Sequence, residues 1–517
     1  MKDFYIPDLR ELLDNAAEKF GDRAFIKYIE DGEIKEKSYI EVRDDSLAVC
    51  RRLIYDSVCN KHIAIAGKTS YSFIIYFFGI LLSGNVAVPF SPDISTADAV
   101  NLFDYADIDI VMYDDYFAAD TDKIGVALPR IWKFINTSDK EIFQRITKDF
   151  SSGSKYANLA DFKVDKNKCA LIIYTSGTTG KRKGVMLSTN SLISNLMYTD
   201  YCEALGEGNV ALSVLPMHHI YCFSGDCVRN LIDGVTVCLN DDLRNLNSNL
   251  AKFQPSVMRI VPMIAQSLLQ RIRVLTGRKN NPLTLEEAKE KVFGKNIRWL
   301  ISGGAYLNPE LVEEYDRLGI YLRQGYGMTE AGCRISVPDE TVSNESVGRV
   351  IDICDIRTQN GEIQVKTPSV MLGYYKMPEE TKKIFTIDGW LRTGDIGYVT
   401  EDRQLFITGR LKNLIILSGG ENVSPEAIEK KFAPIHEVSE VQIYAENDRI
   451  IAEVFPDDEF CALQGIKDVK SVISEKIKKM NNTAKASHII SELRLRDVPF
   501  ERTANGKIKR KETVVSK

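Results

Sequence analysis

The sequence predicts an α/β fold: a large N-terminal domain of two helix-flanked, mostly parallel sheets, then a small α+β C-terminal domain. Three observations carry that expectation. From His62 onward, short apolar runs alternate with segments of helical periodicity, and the same rhythm returns after residue 190. Parallel strands joined by crossover helices read this way, because both faces of the sheet are buried. Beyond Arg410 the rhythm gives way to a glycine loop, a helix, a hairpin and a further helix, as in a separate small unit.

In chain order, LRELLDNAAEKF has apolar residues at helical spacing, and AFIKYIEDGEIKEKSYIEV alternates around Asp31 and Gly32 as a hairpin does. A helix over roughly 41 to 55 follows. Strands are expected at HIAIAG, at Val86 to Phe90 and at IDIVMYDD, with a helix near 95 to 105. Phe73 to Leu82 has no polar side chain except Tyr76. A membrane span needs ~20 apolar residues, and Ser83, Gly84 and Asn85 end this run early, so it reads as a buried helix. The polar run from Thr137 to Asn158 reads as a surface connection. After it come a strand at Leu171 to Tyr174, a helix over Asn190 to Glu203, a strand at Val210 to Leu215 and a helix over Phe223 to Leu231. Strands at Val235 to Leu239 and Val257 to Val261 complete the block. The blocks on either side of residue 150 are candidates for two similar layers.

Sixty-seven Lys and Arg against seventy-two Asp and Glu leave a net charge of −5, which gives no field favouring nucleic acid or an anionic membrane. Ten cysteines without a C-x-x-C pair and five histidines without zinc spacing read as reduced thiols in a cytoplasmic protein. The N-terminus carries acids and lacks both an apolar h-region and an Arg-rich pattern, so no export signal and no integral membrane association are expected.

The stretch LIIYTSGTTGKRKGVMLS, Leu171 to Ser188, organises the rest. An apolar strand breaks into Thr175, Ser176, Gly177, Thr178, Thr179 and Gly180, followed by Lys181, Arg182, Lys183 and Gly184. Glycine backbone, hydroxyls and cations are the groups that hold phosphate oxygens. The loop is not a Walker loop, since Lys181 is followed by Arg182 and not by Ser or Thr. Its spacing resembles the signature loop of the adenylate-forming (AMP-binding) superfamily, which includes acyl-CoA synthetases, luciferases and the adenylation domains of peptide synthetases. The resemblance runs from about residue 8 to 512. It fits best the bacterial long-chain fatty acid:CoA ligases, in LPMHHIYCFSG, VPMI, ISGGAYLNPE and GRLKNLIILSGGENVSPEAIE.

That resemblance implies an N-terminal adenylation domain over 1–411, including a small β-barrel-like subdomain, and a mobile C-terminal domain over 412–517 hinged at Lys412. It places Thr175, Ser176, Gly177, Thr178, Thr179, Gly180 and Lys183 on ATP phosphates, with Thr329 nearby. Gly304, Ala305, Tyr326 and Gly327 would surround adenine. Asp395 and Arg410 would hold the ribose; a carboxylate beside a glycine at a strand start suits two vicinal hydroxyls, being acceptor-only. Glu330 and Thr175 would hold Mg2+, a hard cation suited to carboxylate and phosphate oxygens. Catalytic roles fall to Lys507 in TANGKIKR, to His219 and to Thr175. Arg182 and Thr189 stand where many members have proline and histidine.

The implied activity is conversion of a carboxylic acid, a fatty acid by the branch resemblance, to acyl-AMP with ATP and Mg2+, followed by transfer to CoA. Three alternatives stay open at the level of sequence: transfer to the phosphopantetheine of an acyl carrier protein, activation of an aryl or amino acid, and a nucleotide- or acyl-binding regulator without turnover. No aspartate falls where amino-acid-activating members bind an α-ammonium; that position corresponds roughly to Ile220. Cys222, near the implied acyl pocket, reads as apolar lining and not as a nucleophile.

Overall fold

A computed structural model describes residues 5–161, 163–175, 182–197, 205–277, 282–417, 421–502 and 508–511. Two seven-stranded sheets form the large unit. In the first, Cys169–Thr175, Val86–Phe90, His62–Ala66, Ile110–Tyr113 and Lys133–Asn136 run parallel in that order. Lys183–Ser188 turns back antiparallel to Cys169–Thr175, and Gly373–Tyr374 closes that edge. In the second, Tyr321–Gln324, Trp299–Ser302, Val257–Ile260, Val210–Ser213, Thr236–Leu239 and Ala24–Glu30 are parallel, and Glu33–Ser38 is antiparallel.

The two layers do not divide at residue 150. Ile26 pairs with Val237, so the N-terminal hairpin crosses to the second sheet, while the strands around the signature loop complete the first. Such crossings are long-range pairings that local periodicity cannot encode. The run from Thr137 to Asn158 is also more than a surface connection. It contains the helix Lys140–Asp149, capped by Asp139, which buries Ile146. Phe150 is buried behind it, its ring 4.7 Å from that of Tyr156. Buried Arg51 donates from Nε to Ala157 O and from Nη1 to Phe150 O, both at 3.0 Å, and so satisfies carbonyls the fold encloses. Apolar residues at helical spacing were present in a run whose polarity concealed them.

Other expected elements are found with shifted ends. The helix after the signature loop is Thr189–Met197, and residues 198–204 lie outside the described ones. Every residue of the helix Tyr71–Leu82 except Ser72 is buried, and Ser70 caps its start. It lies so close to the helix Tyr39–Tyr55 that a Cβ on Gly79 would come 2.3 Å from Val49 Cγ1. No described helix is long and apolar enough to cross a membrane.

A small all-β part follows. Asp355–Gln359, Glu362–Lys366, Leu391–Val399 and Leu405–Arg410 form an antiparallel sheet, which the Ser336–Val337/Arg349–Val350 pair joins through bonds between Val347, Gly348 and Leu405. The C-terminal unit is α+β: Val438–Glu446, Arg449–Pro456 and Ile490–Leu495 form one sheet, with the helices Pro425–Glu429 and Val469–Asn482. Its apolar core, from Ile415 to Ile490, is made only of its own residues.

Gly79→Ala is expected to lower the urea-unfolding free energy by about 1–3 kcal/mol, since the added methyl must push two buried helices apart; chemical denaturation checks this.

Candidate active site

The sheet edge of the first layer builds one half of the site. Thr175 ends one strand, Lys183 begins the next, and the two are paired in register. Thr175 Oγ1 donates to Lys183 O at 3.4 Å, closing the base of the signature loop. Ser176, Gly177, Thr178, Thr179 and Gly180 fall outside the described residues. Lys183 Nζ stands 2.8 Å from Glu380 Oε2 and 4.8 Å from the ring centre of Tyr374. The Tyr374 hydroxyl donates to Glu330 Oε1 at 2.8 Å. Hydrogen bonds from Lys183 and Lys383 hold the Glu380 carboxyl down to about 2, and burial beside Glu330 pushes the Tyr374 hydroxyl up.

Two strand ends of the second layer and two paired strands of the all-β part build the other half. Trp299–Ser302 and Tyr321–Gln324 lie side by side, and the turn after the first passes through Gly304 at φ +78°, a conformation that favours glycine. Gln324 pins this turn, donating from Nε2 to Ala305 O and accepting from Leu307 N, both at 3.0 Å. Tyr326 OH donates to Asp395 Oδ2 at 2.5 Å, and Arg410 Nε lies 2.7 Å from Asp395 Oδ1. Asp395 is buried in the middle of the strand Leu391–Val399, not at its start, directly opposite Arg410. That pairing fixes the carboxylate more firmly than a loop position would. The Tyr326 hydroxyl is thus engaged, and burial against Asp395 pushes its pKa well up. Gly327 has no room for a side chain: a Cβ would lie 1.7 Å from Cys333 O.

These halves share one segment, because Tyr326 and Glu330 are four residues apart. Thr329–Ala331 is a single 3-10 turn, and Met371 N donates to Glu330 O at 2.8 Å. Asn195 on the helix after the signature loop donates to Arg334 O at 2.8 Å and Ser369 Oγ at 3.1 Å, gripping the same segment from the first layer.

His219 stands at the N-cap position, without a side-chain capping bond, of the helical stretch that starts at Ile220 and winds as a π-helix over Phe223–Arg229. Its ring lies 4.4 Å from that of His218, and burial lowers the pKa of both, that of His218 to about 3. His218 Nδ1 is buried without a partner among the described residues. Tyr221, two residues on, donates to Ile301 O at 2.9 Å. Cys222 is buried with Sγ 2.9 Å from Leu215 O, and burial pushes its thiol well up, the opposite of an activated nucleophile.

Lys507 and the glycines 419 and 420 lie outside the described residues. Lys412 sits in the turn Leu411–Asn413 that leads into the C-terminal unit. That unit touches the site through Ser424 Oγ, which donates to Thr408 O at 2.9 Å, and through Lys430 Nζ, which lies 2.8 Å from Ile407 O and 4.7 Å from the Tyr306 ring centre.

Sequence reasoning missed Tyr374, Glu380, Asn195 and the pair Asp226–Arg259. A signal existed for the last, since both are charged residues inside apolar runs. For the other three, sequence separations of 44, 174 and 197 residues hid the contact.

A profile of the AMP-binding enzyme family matches residues 13–375. Long chain acyl-CoA synthetase 6 of Arabidopsis thaliana, a peroxisomal protein, is 31% identical over 350 residues, 58% of this chain and 50% of that one. The chain thus spans about half the length of that relative. The long-chain-fatty-acid–CoA ligase FadD15 of Mycobacterium tuberculosis is 29% identical over 416 residues, 71% of this chain and 68% of that one. 4-coumarate–CoA ligase 3 of Arabidopsis thaliana is 31% identical, over 56% and 54% of the two chains. Among solved structures, the anthranilate CoA ligase AuaEII in complex with anthranoyl-AMP superimposes with a TM-score of 0.80 at 16% identity, covering 97% and 96%. ATP-bound MatB of Rhodopseudomonas palustris gives 0.79 at 22%, covering 96% and 97%. These likenesses establish a shared fold.

The buried His218 gives a pH signature. An unfolded chain protonates histidine near its ordinary value of ~6.5, whereas the folded one resists to about 3. Stability from this group is therefore full above ~6.5 and falls with pH below it, by up to ~1.4 kcal/mol per pH unit. Urea unfolding of His218→Gln is expected to lose about 1–2 kcal/mol less than the parent between pH 7 and pH 5. Equal losses would mean that His218 takes a proton in the folded state.

Proposed function

The chain belongs to the AMP-binding enzyme family, and from that premise we propose that it activates a carboxylic acid with MgATP as acyl-AMP and transfers the acyl group to a thiol, coenzyme A being the acceptor. The observation that carries this reading is the shared segment from Tyr326 to Glu330, with a carboxylate–guanidinium pair at one end and a second carboxylate, a tyrosine and a lysine at the other.

Each group suits one part of the nucleotide. Asp395 accepts from the vicinal ribose hydroxyls, with Arg410 as its counter-charge and second contact. Adenine lies between the Gly304–Ala305 turn and the Tyr326 ring, where bare backbone leaves a flat slot. Thr175 to Gly180 and Lys183 take the β and γ phosphates, and Lys183 then exchanges one anionic partner, Glu380, for another. Among the described residues no three His, Cys, Asp or Glu side chains cluster as a metal cage. Mg2+ needs only one or two protein oxygens beside phosphate and water; Glu330, aimed by Tyr374, and Thr175 would supply them. Bound there, the ion neutralises charge on the phosphates.

The acid approaches past His219. A carboxylate oxygen attacks the α-phosphorus, the bond to the β-phosphate oxygen breaks, and pyrophosphate leaves. Positioning and charge are sufficient, so no covalent intermediate with the protein forms. Lys507, reaching both the acid and the α-phosphate, offsets the negative charge of the attack. The division into 1–411 and 412–517 serves the second half-reaction: rotation about Lys412 withdraws Lys507 and brings the loop of Gly419 and Gly420 to the thiol entrance. The thiol then attacks the acyl carbon and AMP leaves.

Acid-dependent pyrophosphate release from MgATP tests the reading; none with any acid would leave a nucleotide-binding protein without turnover. Lys507→Ala is expected to slow adenylation by about 10²–10³ while leaving transfer from supplied acyl-AMP within about tenfold. Asp395→Ala is expected to weaken AMP about 10- to 100-fold in calorimetry, the worth of hydrogen bonds to an ionised group.

A further inference from the structure

Beyond His219 the helical stretch carries a buried ion pair that the proposed reaction does not use. Asp226 Oδ1 lies 3.0 Å from Arg259 Nη1, with side chains 1% and 6% exposed, and Asn230 Oδ1 lies 3.2 Å from the same nitrogen. The arginine stem lies flat on the backbone, for a Cβ on Gly225 would come 2.6 Å from Arg259 Cδ. The π-helical winding of Phe223–Arg229 carries Asp226 in this contact; such windings recur at functional sites.

Tyr221 neighbours both this pair and the turn at Gly303 and Gly304. It is two residues from His219, its hydroxyl is tied to Ile301 O, and a Cβ on Gly303, the neighbour of Gly304, would lie 2.9 Å from its ring. Beside His219 and Gly303 the chain thus holds a fixed aromatic ring and, next to it, a closed, paired charge cluster.

We infer that the acid pocket ends at Tyr221 and the Asp226–Arg259 pair, so that the substrate is a compact carboxylic acid and not a long-chain fatty acid. The inference rests on the adenylation reading and narrows it. A long alkyl chain would have to part the pair, leaving two uncompensated charges in an apolar interior, which is strongly unfavourable. A short acid meets only the tyrosine ring and leaves the pair intact.

The test is direct binding of butyrate, octanoate, palmitate and benzoate to the full chain saturated with AMP, by calorimetry, alongside pyrophosphate release with the same acids. Butyrate, octanoate or benzoate is expected to exceed palmitate by about 100-fold in affinity and in kcat/KM. The double variant Asp226→Leu/Arg259→Leu removes both charges together and leaves neither unpaired; it is expected to gain about tenfold on palmitate. Tyr221→Ala, which widens the same passage, is expected to shift the profile the same way should the double variant fail to fold. Palmitate as the best parent ligand, no acid binding at all, or an unchanged profile in a folded variant would overturn the inference. Acids that bind in the expected order without pyrophosphate release would uphold the pocket and sink the adenylation reading.

Discussion

The hydrogen bond from Tyr326 to Asp395 ties the end of the second sheet to the small antiparallel sheet, and the other site groups depend on the placement it fixes. Arg410 opposite Asp395 keeps the carboxylate oriented, and Gly327 lets the chain pass against Cys333 O where no side chain fits. Four residues later Glu330 meets Tyr374, on a strand added to the first sheet. Asn195 holds the far end of the segment from a helix of the first layer. One stretch of backbone is thereby fixed to three sheets at once, as a preorganised site requires.

Charge is distributed in the same economical way. Lys183 is paired with Glu380, so an ammonium near the core edge is not left uncompensated. In the proposed reaction, its release from Glu380 would be an exchange between two anions, with smaller net cost than desolvating a free lysine. Deeper in, Asp226 and Arg259 compensate one another where water is excluded, and Asn230 satisfies a further donor. Buried pairs of this kind contribute specificity more readily than stability.

Much of this was legible in the sequence, for identifiable reasons. Parallel strands such as Val86–Phe90 are continuous apolar runs with sharp ends, and turns such as Asp31–Gly32 announce themselves. Asp395, Arg410, Tyr326 and Glu330 could be singled out because short-range motifs surround them; their mutual geometry could not. The placement of Asp395 in mid-strand, the crossing of the N-terminal hairpin into the second sheet, and the bonds of Tyr374 and Asn195 all depend on pairings across long stretches of chain. The helix Lys140–Asp149 was hidden differently, since a few apolar residues on one face suffice to anchor a mostly polar helix.

The central claim is that an acid's own oxygen attacks the α-phosphorus. Supplying the acid with ¹⁸O in its carboxylate, together with MgATP and coenzyme A, and then weighing the nucleotide product by mass spectrometry tests it most directly. The account predicts one labelled oxygen in the phosphate of AMP, with unlabelled pyrophosphate. Label in orthophosphate accompanied by ADP would mean attack at the γ-phosphorus and would contradict it.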